Sequence, residues 1–162
     1  MAKNQDEDVL ADELEDAGSE PRVYELGFHL DPELPSEEVK KAYQAIREII
    51  TGQGTLVAEG EPRMLQLAYT ISRQETAGRR DFDSAYFSWI AYEAPASAHA
   101  EVLAAAGSDK RIIRFIDVLT TKDAARHSAE MHELAQKAPE HASETEEAAD
   151  AELDAALESV AV

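Results

Sequence analysis

Strand-like and helix-like stretches follow one another in this chain in a single order, and that order limits the fold more than any composition does. In "RVYELGFHL" the residues Tyr24, Leu26, Phe28 and Leu30 fall on one face, the period-two pattern of a strand buried on one side. After the turn "DPELP", Ser36 with Glu37 and Glu38 resembles a helix start with Ser36 as N-cap, and Val39, Tyr43, Ile46 and Ile50 then recur at helical spacing up to Gly52 and Gly54. "TLVAEGEP" is a short strand that turns at Gly60 and Pro62 and leads into "LQLAYTIS", where Leu65, Leu67, Tyr69 and Ile71 alternate with polar or small residues. The polar stretch Arg73–Ser84 reads as an exposed hairpin loop, "AYFSWIAYE" as an aromatic strand, "PASAHAEVLAAAG" as an alanine-rich helix and "RIIRFIDVL" as a last strand. Strand, helix, strand, strand, helix, strand is the βαββαβ order. It implies an α+β, ferredoxin-like sandwich, a four-stranded antiparallel sheet with two helices on one face and the other face open.

Charge divides the chain into three. Residues 1–20 hold one Lys against eight acids, residues 21–120 hold eleven Lys or Arg against fifteen acids, and residues 121–162 hold three against eleven, within a net charge of −19. Residues 1–21 therefore read as an acidic, disordered arm, 22–121 as the folded domain, and 122–162 as an acidic Ala/Glu-rich tail, disordered or weakly helical, with Leu153, Leu157 and Val160 at helical spacing. The middle segment is close to balance, so its arginines can still form a local basic patch. With no cysteine, disulfides, zinc–thiolate sites and a cysteine nucleophile are excluded. No apolar run approaches the ~20 residues of a membrane helix, and no leader opens the chain, so a cytoplasmic protein with neither a membrane nor DNA as partner is expected.

Chemistry-bearing patterns are few. The five histidines lie in different elements and none has the spacing of a helical metal site, so no metal is expected. Asp81 and Asp83 sit beside Arg79 and Arg80, where loop ion pairs explain them more simply than acid–base work. Phosphate-binding and nucleophile-elbow glycine motifs are absent. Phe87 and Trp89 share a face of the aromatic strand, and His29 alternates with the core residues of the first strand, so it points to the open face. A base-stacking platform would need basic residues and a glycine ahead of the aromatics, and Asp83, Ser84 and Ala85 stand there instead. Protein docking or plain core suits them better. Tyr69, by its alternation with Leu65, Leu67 and Ile71, reads as core or core edge, with partner docking as the second reading. Asp117, alone in an apolar strand, has no partner legible in the sequence.

Taken together, "VYELGFHLDPEL", "SEEV", "LAYTI", "YFSWIAYEAP" and "DKRIIRFIDV" resemble the family of the sixth protein of the bacterial small ribosomal subunit, over about residues 22–121. Thr70 stands where that family has Pro. Its basic stretch before L-A-Y is reduced here to Arg63, and the Arg73–Ser84 segment is longer, carrying Arg73, Arg79 and Arg80 as a compensating set. The resemblance implies a protein with no enzymatic activity and no cofactor. It would bind small-subunit (16S) rRNA together with ribosomal protein eighteen. On that reading Arg22, Arg63, Arg73, Arg79, Arg80 and Arg114 are the candidates for RNA, and His29, Tyr69, Phe87 and Trp89 for the partner protein. The alternative is an ACT-like small-molecule-binding regulatory domain, which shares the element order but places a glycine in the first strand-to-helix turn, where this chain has "DPELP".

Overall fold

The structure is a computed structural model, and it describes residues 20–137. Within residues 22–120, four strands and two helices occur in the order β1 (Arg22–Leu30), α1 (Ser36–Gln53), β2 (Thr55–Glu75), β3 (Gly78–Ala94), α2 (Ala96–Ser108) and β4 (Ile112–Thr120). The sheet order is β2-β3-β1-β4 and every neighbouring pair is antiparallel. This is the ferredoxin-like α+β arrangement, with β1 and β3 central and β2 and β4 at the edges. The acidic arm before residue 20, and the Leu153, Leu157 and Val160 stripe, lie outside the described residues.

The core forms where the two periodicities meet. Leu26, Phe28 and Leu30 of β1 are fully buried with Tyr24 beside them, against Val39, Tyr43, Ile46 and Ile50 of α1. From α2 the core receives Ala98, Val102 and Ala106, small residues that let the helix lie close to the sheet. On β3 the same side carries Ile90 and Tyr92 together with Ser88, whose hydroxyl donates to the Gly60 carbonyl at 2.6 Å. A buried hydroxyl thus has its partner. The α1 helix is tied to β2 by Glu59, which accepts from Tyr43 Oη at 2.5 Å and from Arg47 Nε at 2.8 Å.

Three local expectations are corrected. Ser36 is not the N-cap; Pro35 is, its carbonyl accepting from the amides of Glu38 and Val39 at 2.9 and 3.1 Å. The β2 strand does not end at Gly60 and Pro62 but runs on with register shifts at Leu56/Ala58, Gly60/Arg63 and Gln66/Ile71. Pro62 falls inside the second shift, on an edge strand, where its missing N–H breaks no ladder bond. Finally, Arg73–Ser84 is not a loop. The β2–β3 ladder continues to Glu75↔Gly78, leaving Thr76 and Ala77 as the turn, and Gly78 takes the positive φ of 125° that the turn requires.

Cross-strand polar bonds explain why so polar a hairpin stays paired. Ser72 donates to Asp81 at 2.6 Å, Thr70 to Asp83 at 2.5 Å, and Gln66 to the Asp83 carbonyl at 2.8 Å. After β4, residues 122–137 are helical. The portion up to Arg126 belongs with the domain: Ala125 is fully buried and Lys122 pairs with Glu93. Residues 127–137 fall in a second unit, in which Met131 and Leu134 are exposed.

Candidate functional site

The sheet face away from the helices is assembled by register. Opposite Gly27 of β1 stand Trp89 of β3 and Ile116 of β4; opposite His29 stand Phe87 and Arg114; Glu25 faces Ala91 and Val118. The edge strand β2 adds Arg63 opposite Phe87 and Leu65 opposite Ala85. His29, Phe87, Trp89, Arg63 and Arg114, far apart in sequence, therefore share one surface.

Glycines set how the aromatics lie on it. A Cβ on Gly60 would sit 2.2 Å from Trp89 Nε1, so the indole packs directly over the β2 backbone and is only 5% exposed. Trp89 thus forms the floor of the face. Phe87 leans over Gly27, where a Cβ would find its ring at 3.5 Å, and lies 5.4 Å from the His29 ring. Ile116 and Val118 are 64% and 41% exposed beside them. The sequence reading missed both, because "RIIRFIDVL" is apolar on both faces and its edge position is not legible in the residues. A run apolar at both parities in the last strand was the available signal.

Tyr69 is not core. It falls in the unpaired stretch between Gln66 and Ile71 and is 64% exposed. Its hydroxyl accepts from Arg114 Nη1 at 2.7 Å, and the guanidinium carbon lies 5.2 Å from its ring centroid. A tyrosine from the β2–β3 hairpin thus meets an arginine from β4, the opposite edge strand, and Arg114 Nε also approaches His29 Nδ1 at 3.5 Å. Burial, then the charge of Arg114, lower the pKa of His29 from its ordinary value. A neutral imidazole follows, able to accept from the guanidinium.

The hairpin arginines divide. Arg80 donates to both oxygens of Asp31 at 2.6 and 2.9 Å, bonds Glu33, and lies 4.6 Å from the Phe82 ring centroid. Arg73 pairs with Glu75 and donates to the carbonyls of Lys110 and Ile112, both at 3.1 Å. These two side chains clamp the hairpin to the β1–α1 and α2–β4 connections. Arg79 is different: its side chain is 68% exposed and, among the described residues, bonds only its hairpin neighbours Ser72 and Asp81, at 2.8 and 3.1 Å. Arg22 is exposed at the start of β1, on the side of Tyr24 and away from the open face. Asp81 and Asp83 serve the hairpin ladder. Among the described residues no three metal-ligating side chains come together, and no helix is long and apolar enough to cross a membrane.

Fold and face together define a class: a ferredoxin-like domain whose exposed sheet surface mixes aliphatic, aromatic and guanidinium groups and holds no catalytic constellation among the described residues. The family profile of ribosomal protein S6 matches residues 23–118, and the chain belongs to that family. The small ribosomal subunit proteins bS6 of Campylobacter concisus and Campylobacter curvus are each 38% identical over 96 residues. The match takes in 59% of this chain and 63% and 62% of those relatives, so it spans less than two thirds of their length. The crystal structure of ribosomal protein S6 from Thermotoga maritima aligns with 74% of this chain and 98% of its own, at 18% identity and a TM-score of 0.49.

Proposed function

We propose that the protein is a structural constituent of the small ribosomal subunit in the cytoplasm, without enzymatic activity, that binds small-subunit rRNA and docks ribosomal protein eighteen on its open sheet face. Membership of residues 23–118 in the ribosomal protein S6 family carries this reading. The open face supports it: exposed Ile116, Val118 and Tyr69 offer an apolar centre, with Arg63 and Arg114 beside it. Such a centre with a polar, cationic rim suits a protein partner held at the edge of an RNA backbone. A net charge of −19 favours a basic partner and disfavours self-association.

On this reading the arginines take two roles. Arg22, Arg63, Arg79 and Arg114 are exposed and can reach phosphate. Arg73 and Arg80 act by holding the hairpin that presents Tyr69 and Arg79. The test is sedimentation of a tagged copy through sucrose gradients at moderate and high salt. Co-migration with the small subunit that survives high salt is expected, and migration only at the top of the gradient would refute the assignment. Within that experiment, Ile116→Asp with Val118→Asp should abolish pull-down of purified protein eighteen while far-UV circular dichroism stays unchanged. Retained pull-down would move the docking surface elsewhere.

A further inference from the structure

Asp117 is the only acid in β4, and its register opposite Leu26 turns it to the helix side of the sheet, away from the docking face. There its Oδ2 lies 3.0 Å from His99 Nε2, while its Oδ1 is buried without a hydrogen-bond partner. His99 stands in the first turn of α2 with its ring stacked on Tyr24 of β1, centroids 3.5 Å apart and planes 8° from parallel. Its other nitrogen, Nδ1, is 2.8 Å from the hydroxyl of Tyr92 on β3, a residue with no exposed surface. One chain of polar contacts therefore links β3, α2 and β4 through an otherwise apolar layer.

We infer that Tyr92, His99 and Asp117 form a proton-binding clasp that fastens α2 to the edge strand β4 and holds tightest while the His99–Asp117 pair retains a proton. The titratable groups facing Asp117 are His99 from α2 and Tyr92 from β3, with Tyr24 of β1 packed against both of those rings, and among the described residues His99 is the only one of its partners able to carry positive charge. With one proton on the pair, the site is neutral overall. Without it, a carboxylate remains whose second oxygen has no donor, and an uncompensated buried charge is costly.

The surroundings agree with the geometry. Burial pushes the Asp117 carboxyl up from the ordinary aspartate range, against the opposing pull of His99. Burial, and then the charge of Asp117, also push the Tyr92 hydroxyl up, so it keeps its proton. A carboxyl pKa raised by folding means the native chain holds the proton more tightly than the unfolded one. The stability tied to this group is therefore present in acid, and it is lost as pH rises from the unfolded value of about 4 through the native value. Other carboxylates of this acidic chain also respond to pH, so the clasp has to be read as a difference.

The experiment compares thermal unfolding of the full chain and of Asp117→Asn between pH 4.5 and 8. The neutral isostere still accepts from His99 but has no charge to lose. Its Tm should gain on the wild type by roughly 3 °C across that range. Parallel curves would overturn the proposal. A second measurement needs no substitution: the carboxyl carbon of Asp117, followed by NMR in the unmodified protein, should titrate above the exposed aspartates. Titration together with them would equally overturn it.

Discussion

At the scale of single residues, Gly60 is where one methyl group would matter most. Its missing side chain is the space in which the indole of Trp89 lies, with Nε1 2.2 Å and Cδ1 2.7 Å from where a Cβ would be. Gly60→Ala should force Trp89 off the β2 backbone, at the roughly 1–3 kcal/mol typical of overpacking. Trp89 is the only tryptophan, so intrinsic fluorescence reads the event directly: a red-shifted emission and a lower Tm are expected. Asp31 gives a second residue-scale prediction. Burial works to raise its pKa, but hydrogen bonds from Arg80 and from the Glu33 amide hold it below the usual carboxylate range. A depressed native pKa gives stability that is present above the unfolded value of about 4 and is lost as pH falls through the native one. Asp31→Asn should therefore lower the Tm at neutral pH, and the gap to the wild type should close in acid. A gap that does not change with pH would show that shape, not charge, makes the contact.

At the scale of elements, the β2–β3 hairpin shows how similar residues take different work. Arg80 and Arg79 are neighbours in sequence, yet strand alternation turns Arg80 toward Asp31 and Arg79 to solvent. Arg80→Ala should speed amide exchange across residues 66–83 several-fold while the central strands stay protected. Arg79→Ala should leave exchange alone and, under the proposed rRNA-binding role, reduce the salt dependence of assembly. Equal exchange in the two variants would dissolve the distinction. The start of the C-terminal helix permits a similar comparison. Ala125 is fully buried and its amide donates to the Thr121 carbonyl at 3.0 Å, so a chain ending at 126 should melt a few degrees above one ending at 121. The difference in melting temperature measures how far residues 122–126 belong to the domain.

At the scale of the whole molecule, most of the architecture could be read from the residues. Tyr24, Leu26, Phe28 and Leu30 alternate because one face of β1 is core, and Val39, Tyr43, Ile46 and Ile50 recur because one stripe of α1 meets it. Period and order follow from local geometry, so βαββαβ was legible without contacts. The motifs around "LAYTI" and "YFSWIAYE" carried the family. What a residue touches across the sheet follows from register and bulges, and these depend on pairings far apart in sequence. Alternation placed Tyr69 among core residues, and the shift between Gln66 and Ile71 released it to meet Arg114. Polarity marked Arg73–Ser84 as a loop, yet its hydroxyls and carboxylates bond across the strands and make it a ladder. Asp117 looked out of place in an apolar strand until α2 brought His99 to it across the packed layer. The sequence by itself determined the elements, their order and their buried faces, because each depends on a few consecutive residues. The tertiary structure alone decided which arginines are exposed, which aromatic is floor and which acid has a partner, because each of those is a meeting of segments that only folding brings together.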